Sequence, residues 1–222
     1  MSFRAWFLVL PAALAFPPAL QAGAIHGRIL TTPIPSPSKG GKSPAAKESV
    51  APQRRVKEAV VYLEKIPEKV ERKLTRRRWW KRAPRLPRIV QADLRFTPRV
   101  LAAAAGTRVE FANLDRVFHN TFSVSAARRF DLGKYPPGHV DTVAFDRAGV
   151  ANLHCDIHPQ ESGFVVVLPN HAFTRPDSLG RFTLPKLPAG SYTVRVWHPR
   201  FGELRRNVTM PSQGDLSVDL TY

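Results

Sequence analysis

Val150-Ala-Asn-Leu-His-Cys155-Asp-Ile-His158-Pro-Gln-Glu-Ser-Gly163-Phe-Val-Val-Val-Leu168 reads as a strand that runs into a short loop and leaves it as a second strand. The loop carries the only cysteine of the chain and, three residues on, a histidine. A thiolate and an imidazole so close together can grip one metal ion. Ala151, Leu153 and Cys155 share one face of the first strand, and Asn152 and His154 share the other. Cys155 is therefore placed on the core side, and His154 faces outward. Upstream, Phe111-Ala-Asn-Leu-Asp-Arg-Val-Phe-His119-Asn120-Thr-Phe-Ser-Val124 ends one apolar-alternating strand and begins another with His119 near the corner. His119, Cys155 and His158 follow the His, Cys, His order of a trigonal copper site.

Other pieces line up around these donors. Gly106-Thr107 is a turn signal before Val109-Glu-Phe111; then come His119-Asn120, Phe130-Asp-Leu-Gly133-Lys-Tyr135, and Cys155-Asp-Ile-His158-Pro159 with Gly163. In order and spacing, residues 88 to 168 resemble a small blue-copper protein: a cupredoxin of the plastocyanin or amicyanin-like kind, as in methylamine-utilisation-type proteins. The resemblance implies an all-β fold with a cupredoxin Greek-key β-sandwich, electron transfer as the activity, and copper held by His119, Cys155 and His158. It also implies that Asn120 ties the two ligand loops together and that Pro159 stiffens the loop through its fixed φ.

The chain departs from that family at the axial position. Where a methionine is expected three residues after the second histidine, Glu161 stands, and the only methionines are Met1 and Met210. A carboxylate there is a harder, charged ligand that favours Cu(II) and lowers the reduction potential. The residues leave other outcomes open: Glu161 facing solvent, a site completed by Gln160 or a backbone carbonyl, zinc in place of copper, or no metal.

Outward from this segment the texture changes. Asp177 to His198 alternates strands with a Gly180 turn and a Pro188-Ala-Gly190 turn, and resembles the carboxypeptidase-regulatory-like β-sandwich, a non-catalytic module. The opening strands of such a module, Ala24 to Leu30 and Glu58 to Glu64, lie before residue 88. The expectation is a second, smaller β-sandwich split over 25–65 and 170–222, with the cupredoxin segment 88–168 inserted. An independent N-terminal hairpin is the alternative. Residues 31–56, rich in Pro, Ser, Lys and Gly, read as a flexible excursion. Val90, Ala92, Leu94 and Phe96 alternate as one half-buried strand, followed by strands at 108–112, 121–125, 140–145, 150–155 and 164–168.

Residues 1–24 have the layout of a secretory signal peptide: Arg4, an apolar run from Ala5 to Leu14, and small residues at Ala22-Gly23-Ala24. An uncleaved anchor is the alternative reading. Cleavage predicts a periplasmic or secreted protein without a transmembrane anchor, in a compartment where an unprotected thiol is oxidised. A protected metal ligand and a buried core cysteine are the two roles open to Cys155. The formal charge is +17 with a pI near 11.0, which attracts anionic partners. Ten lysines and arginines against the single acid Glu71 between Lys69 and Arg88, with Trp79-Trp80 among them, read as a basic loop over 66–87. That loop suits an acidic redox partner or an anionic surface rather than nucleic acid. No nucleophile turn, catalytic carboxylate pair or phosphate loop is present, so the reading excludes an enzyme. The competing functions are a non-redox binding module on a degenerate cupredoxin fold, and copper storage or delivery.

Overall fold

The computed structural model describes residues 22–31, 56–80 and 85–222, and the side chains of 77–80 are not among those described. Most of the leader, the excursion over 32–55 and the Trp79-Trp80 side chains lie outside them.

The protein is all-β, and its described residues form four sheets and one helix. Strands β1 (Ile25–Leu30) and β2 (Val60–Leu63) and helix α1 (Glu68–Trp80) come first. Nine strands follow: β3 (Arg88–Ala92), β4 (Arg95–Thr97), β5 (Val100–Ala104), β6 (Thr107–Asn113), β7 (His119–Ser125), β8 (Arg128–Tyr135), β9 (Val140–Phe145), β10 (Gly149–His154) and β11 (Ser162–Leu168). The chain closes with β12 (Phe173–Thr174), β13 (Arg181–Thr183), β14 (Gly190–His198), β15 (Gly202–Met210), β16 (Leu216–Ser217) and β17 (Leu220–Thr221).

The nine middle strands form two facing sheets, β5-β11-β10-β7-β8 and β4-β3-β6-β9. Their inward side chains, including Ile89, Phe96, Phe111, Phe145, Leu153 and Val165, make one core. The earlier and later strands form β12-β2-β14-β15 and β13-β1-β16, with β17 also on β1. Val60 to Leu63 pairs antiparallel with β14, Val60 opposite Trp197 and Leu63 opposite Val194. Strand periodicity divides β2 between two cores. Val61 and Leu63 enter the core with Ile25, Ile29 and Val196, while Val60 packs with Val100, Val166 and Leu168 of the middle strands.

Three expectations change. Gly23 exchanges backbone hydrogen bonds with Leu187, and the Ala24 amide donates to Asp215. A Cβ on Gly23 would lie 1.8 Å from the Gly214 carbonyl oxygen. These two residues therefore belong with the sandwich, not with a leader ending at 24. The basic loop over 66–87 is instead helical from Glu68 to Trp80. Pro67 precedes the first turn, Glu68 and Glu71 lie in it, and no Pro or Gly follows until Pro84, so local preference and macrodipole both favour a helix. Val70 and Leu74 pack on the smaller sandwich's core, and Glu71 accepts from the His171 amide at 3.0 Å and contacts its ring.

The third change matters most for the site. Residues 90–96 are two strands joined by a tight turn, with Ala92 opposite Arg95. Asp93 and Leu94 both have positive φ, 54° and 56°, the conformation a two-residue hairpin turn requires. Leu94 is exposed, and the inward residues of β3 are Ile89 and Gln91 instead of Val90 and Ala92. Alternation cannot carry across a turn that reverses the chain.

Candidate metal centre

The site forms where β7 begins and where the β10–β11 loop closes. His119 opens β7 and is wholly buried, and Cys155 follows β10 and is 4% exposed. Beyond it His158-Pro-Gln-Glu161 is a β-turn, closed by the Glu161 amide donating to the His158 carbonyl at 2.9 Å. Pro159 takes the second position of that turn, where its fixed φ is suited. The turn brings the Glu161 carboxylate back beside the His158 ring, and Glu161 is 1% exposed. On the next strand a Cβ at Gly163 would sit 3.0 Å from that of Phe96, a contact that Phe96 would have to ease.

Four donor groups converge: His119, Cys155, His158 and Glu161, with one ligand atom from each lying within 4.8 Å of the others. The Cys155 Sγ is 4.0 Å from Nδ1 of His119 and 3.7 Å from Nδ1 of His158. The two Nδ1 atoms are 3.2 Å apart. Oε1 of Glu161 lies 3.0 Å from each of them, yet it is buried and makes no aligned hydrogen bond. A cysteine sulfur, two imidazole nitrogens and a buried carboxylate oxygen without an aligned hydrogen bond face one point, a donor cluster that a cation satisfies. The donor set suits copper or zinc. Burial also removes one possibility open in the sequence, since Glu161 does not face solvent. Of the four, His158 has the exposed edge, its side chain 19% accessible against 0% for His119 and Glu161.

Asp115 orients His119. Its Oδ2 lies 2.9 Å from His119 Nε2, so a proton on Nε2 leaves the Nδ1 lone pair for the site. The same carboxylate accepts from the backbone amides of Asp93 at 2.8 Å and Leu94 at 3.1 Å, holding the strained turn. Burial pushes the Asp115 carboxyl upward, but those two amides and His119 outweigh it and hold the group below the usual carboxylate range. Gln91, Thr121 and Tyr135 form a buried polar group behind Glu161. Burial pushes the Tyr135 phenol up, the Thr121 hydrogen bond opposing.

None of these four was singled out from the sequence. Asp115, four residues before His119, was the one with a readable signal: an acid near a candidate ligand histidine. Asn120, expected to tie the two ligand loops together, is buried, and its amide donates to Asp131 Oδ1 at 2.7 Å and the Gly133 carbonyl at 3.2 Å. These bonds tie β7 to β8 rather than to the Cys155 loop. His154 is exposed and lies against Phe122, and His139 stacks on Tyr135. Exposed Leu114, Val117 and Phe118 flank Asp115 and His119 along the chain, and exposed Leu94 lies in the turn that Asp115 holds.

No family model matches the chain, and no curated protein matches it. Among solved structures, the copper-containing nitrite reductase from Thermus scotoductus SA-01 is 26% identical over 38% of this chain and 22% of that one, with a TM-score of 0.36. An amicyanin variant in the Cu(I) state is 22% identical over 40% of this chain and 87% of its own, also at 0.36. An oxidised amicyanin variant gives the same figures, 22%, 40%, 87% and 0.36. This chain thus spans about a fifth of the reductase's length.

Proposed function

We propose that this protein is an exported cupredoxin-like electron carrier rather than an enzyme, binding one copper ion through His119, Cys155, His158 and Glu161. The observation that carries the reading is the orphaned, buried Glu161 oxygen lying between two imidazole nitrogens beside the only thiol. Bound copper would supply one-electron redox chemistry. The chain's residues do the rest. Asp115 holds the His119 tautomer, the His158–Glu161 turn sets two ligands at once, and sheets on both sides keep the donors from moving. His158 offers the exposed edge for electron exchange, and the apolar side chains around His119 offer a surface on which a partner can seat.

Two negative ligands in a buried site stabilise the more highly charged ion, which supports a low reduction potential. The split sandwich, with the cupredoxin segment inserted between β2 and β12, acts as a docking module in this reading. Its basic helix suits an acidic redox partner or an anionic surface. Among the described residues no helix is long and apolar enough to cross a membrane, and the periplasm or the exterior is the proposed location.

The test is Cu(II) titration of the purified protein, followed by visible absorption. One equivalent should produce a thiolate-to-copper charge-transfer band that Cys155→Ser abolishes. Folded protein that takes up no Cu(II) would leave the non-redox binding module as the better description. Zinc is a second reading, favoured by the carboxylate at Glu161. Zn(II) bound so tightly that excess Cu(II) cannot displace it would establish that alternative.

A further inference from the structure

The geometry points to Gln91 as the positioning residue that makes Glu161 a metal ligand, a role that rests on the copper reading above. The side chain of Gln91 is 2% exposed, and both ends of its amide meet hydrogen-bond partners. Nε2 donates to Glu161 Oε2 at 2.7 Å and to the Asn120 carbonyl at 3.3 Å. Oε1 accepts from the Thr121 hydroxyl at 3.1 Å and from the Tyr135 phenol. The two hydroxyls also contact each other.

This arrangement has one orientation. A backbone carbonyl and an ionised carboxylate can only accept, and the two hydroxyls can supply protons to a carbonyl oxygen. Turning the amide over would set its oxygen against two acceptors, the Asn120 carbonyl and the Glu161 carboxylate. With Oε2 of Glu161 anchored, the carboxylate can present only Oε1 to the two imidazoles, and that is the oxygen found without an aligned hydrogen bond. Gln91 reaches this place because β3 ends in the Asp93-Leu94 turn, whose amides Asp115 holds. The carboxylate ligand and the His119 ligand are thus positioned from one hairpin, Glu161 through Gln91 and His119 through Asp115.

The test compares wild type, Gln91→Met, Glu161→Met and the double variant, each loaded with Cu(II) or Zn(II). Gln91→Met keeps the residue's length and removes both the donor and the acceptor. It should retain copper through the three remaining ligands, with Cu(II) affinity lowered about tenfold to a hundredfold. Its charge-transfer band and reduction potential should move in the same direction as in Glu161→Met. The double variant should add little to either single change, because both remove the same ligand. A loaded Gln91→Met protein with the wild-type spectrum and potential overturns the inference while leaving the copper reading intact. Wild type that takes up neither Cu(II) nor Zn(II) overturns both. Should Gln91→Met fail to fold, Gln91→Leu likewise withdraws the hydrogen bond to Glu161 Oε2. That variant should shift the band the same way, and an unshifted band in it counts against the role of Gln91.

Discussion

The two β-sandwiches are built by the same rule of alternating strands, yet they bury different things. The smaller one closes over aliphatic and aromatic side chains, among them Ile25, Ile29, Leu63, Leu184, Leu187 and Val196. The middle one has an apolar core of its own, but at one end it also buries Gln91, Asn113, His119, Asn120, Thr121, Ser123 and Glu161. Polar groups taken out of water cost free energy unless each finds a partner. In the middle sandwich the partners are mostly found within the cluster, and Oδ1 of Asn120 and Oε1 of Glu161 are left over. The smaller sandwich buries few polar groups, Asn170 and His198 among them, whereas the middle one gathers many at one end.

Four substitutions break or sharpen that contrast. Leu63→Ala opens a cavity in the apolar core and should cost about 2–5 kcal/mol of folding stability, measured by denaturant unfolding. The copper spectrum should not change, because Leu63 touches none of the donors. Asp115→Ala works the other way. Loss of the carboxylate behind His119 should weaken copper about tenfold to a hundredfold in a competition titration, and it should loosen the Asp93-Leu94 turn.

Glu161→Met makes the polar end more like the apolar core. Relief of the buried carboxylate offsets the hydrogen bond lost from Gln91, so metal-free stability should stay within about 1 kcal/mol of wild type. The reduction potential should rise as a weak neutral ligand replaces a charged one, and voltammetry of the copper protein checks it. The smallest effect is expected at the surface. Glu68 and Arg72 pair on α1 at 2.9 Å with both side chains largely exposed, and Arg72→Ala should cost no more than about 0.5 kcal/mol in thermal unfolding.

Much of the fold was legible because strand burial is a local pattern. Val140 to Phe145 was read with its observed bounds, and the strands on either side of the Cys155 loop were read within two residues of theirs. Where local pattern misled, a longer-range force had decided. Val90 to Phe96 looks like one alternating strand, but Asp115, more than twenty residues away, supplies the two hydrogen bonds that stabilise the turn inside it. The basic segment after Pro67 was read as a loop from its charge, although its residues are good helix formers. Its apolar positions Val70 and Leu74 meet a core assembled from strands at both ends of the chain.

For the candidate site, the sequence by itself determined which donors are available. A single cysteine, a histidine three residues later, a carboxylate three residues beyond that and a histidine at an earlier strand corner are local facts, and the turn that joins His158 to Glu161 is local as well. Whether the carboxylate would face the donors or the solvent was decided by tertiary structure. That choice depends on Gln91, which comes from 70 residues away and is itself oriented by hydroxyls from β7 and β8. Hydrogen bonds between such distant groups leave no periodic trace along the chain. They exist because packed sheets exclude water and oblige each buried polar atom to find its partner.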